Sequence, residues 1–188
     1  MYDFMVSLQP QIEKTVQLLN ECYLNGGKVL VCGNGGSCAD ADHIIGELVK
    51  GFRLRRPVSS SLPFGDRLQG GIPAINLCAH SALLSAIIND LGADVMFAQQ
   101  VWVYGSKGDV FIGISTSGNA ENVLNAAATA KYKGMKTVLL TGAHGGKNTQ
   151  VFDVLINAPS TVTQEIQDMH SVIYHDICAK WEKDNWEE

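Results

Sequence analysis

The spacing of apolar residues along the chain predicts a series of amphipathic helices. Apolar positions recur every three or four residues from Leu8 to Cys22, and the stripe ends at Gly26-Gly27, so we expect a helix over residues 8–25. The same spacing predicts a closing helix over residues 162–182. Further helices are predicted over residues 38–50, 81–91, 95–104 and 120–133.

Short apolar runs between these helices predict buried strands, because they are rich in β-branched side chains and end at glycines or polar turns. The runs are residues 28–32, 74–77, 109–115, 136–140 and 153–157. Strands that alternate with helices indicate the α/β class and a doubly wound parallel sheet. In such sheets ligands bind at the carboxyl ends of the strands, where the winding reverses.

The length and composition indicate one well-packed domain over residues 1–188. The chain has 188 residues, of which 46% are hydrophobic and 18% are charged. Residues 52–72 carry no helical or strand pattern. A connection of this length is longer than most, so we interpret the segment as a functional or a disordered loop.

The charge balance argues against a nucleic-acid-binding protein. The net charge is −5, and the single basic cluster, Arg53, Arg55 and Arg56, is interpreted as a solvated edge. No apolar run is long enough to predict a membrane span. The five cysteines show no repeated CxxC spacing, and no signal-peptide pattern is present, so we expect free thiols and a cytoplasmic location.

The strongest candidate site is the polar turn from Ser115 to Asn119. It follows a predicted strand and opens a predicted helix, where three hydroxyls and unpaired backbone N–H groups would bind an anion such as a phosphate. The alternative is an ordinary N-cap. A second turn, Gly33-Asn-Gly-Gly-Ser37, has neither a phosphate-loop nor a dinucleotide fingerprint, and it is either a ligand loop or a tight strand–helix turn.

Two helices carry candidates for proton transfer or metal binding. His43 and Glu47 are four residues apart and share one helical face, where they form either a functional pair or an exposed ion pair. On the closing helix, Gln167 and His175 are about 80° and about 12 Å apart, and His170 is about 140° from His175, so at most two of the three share a face. Either histidine alone is more often structural than catalytic. Asn89-Asp90, just before Gly92, is by itself an ordinary helix end.

Taken together, these motifs resemble the sugar isomerase (SIS) domain family and, within it, the phosphoheptose isomerases, which act on sedoheptulose 7-phosphate. The matching segments cover most of residues 8–182. In chain order they are GKVLVCGNGGS, DAxHxxxEL, the Asn-Asp before Gly, GDVFIGISTSGN, GMKTVLLTG and IQxxHxxxxH.

The resemblance implies a flavodoxin-like, five-stranded parallel sheet flanked by helices, and a homotetramer in which the first and last helices pack between subunits. It implies an aldose–ketose isomerase (an intramolecular oxidoreductase) of heptose biosynthesis that converts sedoheptulose 7-phosphate to D-glycero-D-manno-heptose 7-phosphate. The partners it implies are a phosphorylated heptose and further copies of this chain.

The resemblance also assigns roles to individual residues. Glu47 matches the base and His175 the acid. The implied zinc ligands are His43, Glu47, Gln167 and His175. The implied substrate-binding residues are Asn34, Gly35, Gly36, Ser37, Glu47, Asn89, Asp90, Ser115, Thr116, Ser117, Asn119 and Gln167.

The chain departs from the family pattern at several positions. Ala120 replaces a serine, so the phosphate loop has one hydroxyl fewer, and Gly51 replaces an arginine for which Arg53 or Arg55 could substitute. The alternative function is that of a non-catalytic SIS protein, either a phosphosugar sensor or a partner of the replication initiator. A generic nucleotide-binding protein ranks last, because neither glycine-rich turn has the required fingerprint.

Overall fold

The computed structural model describes residues 2–186, in which five strands alternate with helices. The strands are β1 (Val29–Gly33), β2 (Ala74–Asn76), β3 (Val110–Ile114), β4 (Lys136–Gly142) and β5 (Val154–Ala158). The helices are α1 (Asp3–Val6), α2 (Gln9–Leu24), α3 (Gly36–Val49), α4 (Ser81–Asp90), α5 (Met96–Tyr104), α6 (Glu121–Tyr132) and α7 (Thr163–Asn185). Each predicted element is present, whereas α1 was not predicted.

The sheet is parallel throughout, with the strand order β2-β1-β3-β4-β5. This order confirms the predicted doubly wound, five-stranded sheet. The winding reverses between β1 and β3, which pair from Val29↔Val110 to Gly33↔Ile114. The loops after these two strands therefore lie at the switch point of the sheet, where α/β proteins bind their ligands.

The core has two apolar layers, one on each face of the sheet. Side chains alternate along each strand, so Val29 and Val31 of β1 face one layer while Leu30 and Cys32 face the other. The first layer is covered by α1, α2, α3 and α7, and the second by α5 and α6. None of the helices in residues 2–186 combines the length and apolar character needed to cross a bilayer.

The predicted solvated edge holds for Arg53 and Arg55, which are exposed, but is wrong for Arg56, which is fully buried. Its Nε pairs with Glu182 Oε1 of α7 at 2.8 Å. Its other nitrogens donate to the carbonyls of Leu48 and Glu47, at 2.9 and 2.7 Å. Arg56 therefore binds the carboxyl end of α3, whose last carbonyls have no partner within the helix.

The same Glu182 carboxylate holds the start of the 52–72 segment. It accepts backbone N–H groups from Phe52, Arg53 and Leu54 at 2.8, 2.8 and 3.0 Å. Burial opposes ionisation of this carboxyl, but the three N–H donors and the Arg56 guanidinium lower its pKa. The segment is thus fixed to α7 at its first residues, and this contact places the Phe52 ring beside α7.

Candidate active site

The turn after β3 has a rigid, glycine-dependent shape. Gly118 has φ +66°, and a Cβ there would lie 2.4 Å from the carbonyl oxygen of Gly145. Its N–H donates to Ser115 O at 2.9 Å, which closes the turn. Asn119 links the turn to the β4 side, because its Oδ1 accepts the Lys147 N–H at 2.9 Å. Only glycine fits at this crossing of two backbones.

The turn is not an ordinary N-cap for α6. The N-cap residue is Ala120, and no side chain caps the helix there. Within residues 2–186, no acceptor takes the backbone N–H of Thr116 or Ser117. These N–H groups and the helix N-terminus remain available to an anion, so the structure favours the ligand-loop interpretation.

The turn after β1 is held against the start of α6 by an amide pair. Asn34 and Asn122 each donate to the other's side-chain oxygen at 3.0 Å. Gly35 has φ +57°, and a Cβ on Gly36 would lie 2.5 Å from Gln167 Nε2 of α7. The two turns and the start of α7 therefore meet at one edge of the sheet.

A cavity of about 380 Å³ opens between these elements. It is lined by the N-terminal ends of three helices, α3, α6 and α7, and by five hydroxyl side chains. The lining residues are Asn34, Gly35, Gly36, Ser37, Ile114, Ser115, Thr116, Ser117, Ala120, Thr163 and Gln167. Asn119 lines a neighbouring cavity of about 250 Å³ on the β4 side of the turn.

The structure also brings together His43, Glu47 and His175. His43 Nε2 lies 3.2 Å from Glu47 Oε1 and 3.3 Å from His175 Nε2. One ligand atom from each residue falls within 4.8 Å of the others. The contact joins α3 to α7, which run side by side in the same direction, since Gln167 meets Gly36 and His175 meets His43.

This cluster is more than an exposed ion pair. The Glu47 side chain is 12% exposed, and its Oε2 is buried without a hydrogen-bond partner in the described part of the chain. Two imidazole nitrogens and a carboxylate are a ligand set that suits zinc, so these residues fit a metal. The unpartnered oxygen equally suits proton abstraction.

The surroundings of His175 disfavour its charged form. Burial, the neighbouring His43 and the Arg53 charge lower the pKa of His175, while Glu47 opposes them. Phe52 stacks on the His175 ring, with centroids 5.3 Å apart and planes 18° apart. A neutral imidazole offers one lone pair to a metal or one N–H to a substrate oxygen.

Comparison with known proteins identifies the family of the chain. A family model described as SIS domain matches residues 2–142. A phosphoheptose isomerase of Helicobacter pylori (strain P12) is 44% identical over 172 residues, which are 92% of this chain and 83% of the relative. The chain belongs to the phosphoheptose isomerases of the SIS domain family.

Solved structures of the same family match the fold. Phosphoheptose isomerase GmhA of Neisseria gonorrhoeae superposes with a TM-score of 0.83 at 34% identity, covering 96% of this chain and 90% of that one. A phosphoheptose isomerase from Francisella tularensis superposes with a TM-score of 0.85 at 32% identity and the same coverage. The match therefore extends over nearly the whole SIS fold.

Several residues singled out by the family resemblance lie outside the two groups described above. Asn89 Nδ2 donates to Asp90 Oδ1 at 2.7 Å, and Asp90 lines a groove between α4 and α5. Neither residue lines the cavity at the two turns. His170 is buried, with Nε2 3.2 Å from Thr141 O, and burial lowers its pKa to about 4. This histidine is part of the core.

Some site residues were not found from the sequence. Thr163 lines the cavity four residues before Gln167, so a spacing of one helical turn could have identified it. Tyr174 Oη lies 3.0 Å from His43 Nδ1. Tyr174 directly precedes His175 on α7, and adjacent helical residues point about 100° apart, so no spacing signal links Tyr174 to His43.

Proposed function

We propose that this chain is an aldose–ketose isomerase that converts sedoheptulose 7-phosphate to D-glycero-D-manno-heptose 7-phosphate. One observation carries the proposal: α3 and α7 each contribute to both the anion-binding cavity and the His43–Glu47–His175 cluster. An isomerase for a phosphosugar needs both, one for the phosphate and one for the carbons that exchange a proton. Phosphoheptose isomerases at 44% and 42% identity support the same substrate.

In this proposal the two polar turns bind the phosphate. Ser37 and Ser115 are buried, and Thr116 and Ser117 follow Ser115 in the same lining. Their hydroxyls and the free backbone N–H groups replace the water around a phosphate without needing a lysine. Binding of the phosphate, which is remote from the reacting carbons, holds the sugar in position. The binding energy of the phosphate therefore helps to lower the barrier of the reaction. Asn34, Gly35, Gly36, Asn119 and Gln167 complete the proposed site.

Glu47 is the proposed base and His175 the proposed acid. Isomerisation moves a proton between C1 and C2 through an enediol, and the unpartnered Glu47 Oε2 can accept that proton and return it. The neutral His175 can donate its N–H to the oxygen on which negative charge develops. Burial of the carboxylate removes competing water from this transfer.

We also propose zinc as the metal, held by His43, Glu47, Gln167 and His175. When bound, such an ion would supply Lewis-acid stabilisation of the developing oxyanion. Three of these side chains form the cluster, whereas the Gln167 amide lies beside Gly36 at the phosphate cavity. The fourth ligand therefore depends on the family resemblance.

A homotetramer is the proposed assembly, with Asn89 and Asp90 reaching the site of a neighbouring subunit. Ile88 and Leu91 beside them are 43% and 57% exposed, which supports an apolar contact surface at this end of α4. We expect α2 and α7 to take part in the same assembly. All five cysteines are free thiols, which supports the proposed cytoplasmic location.

Incubation of the purified chain with sedoheptulose 7-phosphate, with and without zinc, tests the proposal. NMR should show the aldose product, and a panel of other phosphosugars should react more slowly. Ser115→Ala should raise KM because it removes a buried hydroxyl, whereas Ser7→Ala on the exposed N-terminal segment should not. No aldose in either condition, together with tight binding to a replication initiator, would favour the non-catalytic alternative.

A further inference from the structure

We propose that Tyr174 is a positioning residue that sets the ring orientation and tautomer of His43 for metal binding; this inference rests on the proposed function. Tyr174 is 3% exposed, and its Oη lies 3.0 Å from His43 Nδ1. The two rings meet edge to face, with centroids 5.3 Å apart and planes 65° apart. The phenol therefore contacts His43 on the side opposite the ligand cluster.

The tautomer of His43 decides which nitrogen can bind a metal. Its Nε2 faces Glu47 Oε1 and His175 Nε2, at 3.2 and 3.3 Å, so Nε2 is the nitrogen that points into the cluster. A metal can bind Nε2 only when the ring proton is on Nδ1. The hydrogen-bond partner of Nδ1 determines whether Nδ1 carries that proton. A phenol oxygen can accept that N–H, and Tyr174 is the group in place to do so.

The proton of Tyr174 then needs an acceptor of its own, and Asp40 supplies one. Asp40 Oδ2 is buried and has no hydrogen-bond partner within residues 2–186. Burial raises the pKa of the Asp40 carboxyl, and the neighbouring Tyr174 hydroxyl partly lowers it again. An unpaired buried acceptor beside a buried hydroxyl is costly unless the two are joined by a hydrogen bond.

The three side chains therefore form a chain from carboxylate to phenol to imidazole. In the proposed arrangement Asp40, whose Oδ2 has no partner within residues 2–186, takes the Tyr174 O–H, and the Tyr174 oxygen accepts from His43 Nδ1–H. A phenol has one proton, so donation to Nδ1 would leave the buried Asp40 oxygen unpaired, which disfavours the His43 tautomer that carries its proton on Nε2.

Tyr174→Phe tests this arrangement because it deletes one oxygen and keeps the buried ring. Zinc affinity, measured on the full chain by competition with a chromophoric chelator, should fall by roughly 10–100-fold, as expected for the loss of a group that orients a metal ligand. In the metal-free protein, ¹⁵N NMR of the imidazole should show a changed tautomer ratio for His43. Tyr23→Phe is the matched control, since Tyr23 packs on Trp181 and Trp186, and its zinc affinity should equal that of the wild type.

Asp40→Ala tests whether the carboxylate belongs to the same chain of hydrogen bonds. It should also weaken zinc binding, and the double variant with Tyr174→Phe should lose less affinity than the two single losses combined. Additive losses would overturn the role given to Asp40.

Unchanged zinc affinity and an unchanged His43 tautomer in folded Tyr174→Phe would overturn the proposal, as would a wild-type protein that binds no zinc. Weakened zinc binding in a chain without isomerase activity would instead contradict the proposed function and leave the inference standing.

Discussion

Removal of the buried arginine at position 56 should destabilise the protein strongly. Arg56→Met keeps much of the side-chain volume but leaves Glu182 without its charge partner. It also leaves the Glu47 carbonyl without its side-chain donor and the Leu48 carbonyl with the Ile72 N–H alone. Breaking a buried ion pair on one side costs about 3–5 kcal/mol. The guanidinium also lies 5.0 and 5.1 Å from the rings of Trp181 and Trp186, so its packing contribution is lost too.

Urea unfolding followed by circular dichroism measures this change. We expect the free energy of unfolding to fall by about 3–5 kcal/mol, and Tm to fall by roughly 6–20 °C for a chain of this size. Arg55→Met is the matched control, because Arg55 is exposed and its loss should change stability by no more than about 0.5 kcal/mol.

The partner variant refines the test. Glu182→Leu should cost more than Arg56→Met, because it leaves a buried guanidinium without its counter-charge and takes the acceptor from Arg56 Nε and from three backbone N–H groups. A loss below about 1 kcal/mol for Arg56→Met, equal to that of an ordinary surface substitution, would refute this account of the buried pair.

Three further predictions concern the core and the turns. Stability should fall as pH is lowered from about 6.5 to 4, because burial lowers the pKa of His170 to about 4, so the ring stays neutral while the unfolded chain takes up a proton. This group alone lowers the free energy of unfolding by about 3 kcal/mol at pH 4. An equal dependence of that free energy on pH in His170→Gln would contradict the assignment. Gly118→Ala should destabilise the fold by at least about 1 kcal/mol, because φ at this position is +66° and the new Cβ would meet Gly145 O. Gly46→Ala on α3, where a Cβ meets no other atom, should stabilise the fold by about 0.5–1 kcal/mol. Urea unfolding measures both changes. Asn34→Ala should raise KM for the phosphosugar by freeing the turn after β1 from the start of α6, and an unchanged KM would show that the amide pair does not shape the site.

Most of the fold could be predicted from the sequence, because helices, strands and turns are indicated by residues close together in the chain. Short apolar runs that end at glycine-rich or polar turns identified β1 and β3, and the alternation of strands with helices predicted the doubly wound parallel sheet. The same logic brought the turns at Gly33 and Ser115 to one edge of the sheet.

The missed features all depend on residues far apart in the chain. Arg56 is buried because Glu182, 126 positions later, provides its charge partner. Tyr174 reaches His43 across 131 positions, and Asn34 pairs with Asn122 across 88. No local pattern encodes such contacts, so a basic cluster was interpreted as a solvated edge.

The proposed chemistry depends most directly on the Glu47 carboxylate. Glu47→Gln preserves the size of the side chain and removes the base, so turnover of sedoheptulose 7-phosphate should be abolished while binding of the phosphosugar survives. The wild type should incorporate solvent deuterium at the exchanging carbon during isomerisation in D₂O, as seen by NMR. Glu13→Gln, at an exposed position on α2, should behave as the wild type.

That single comparison decides the central claim. The account predicts no aldose and no deuterium exchange in Glu47→Gln, with phosphosugar binding within a few-fold of the wild type. Undiminished isomerase activity in Glu47→Gln would contradict it.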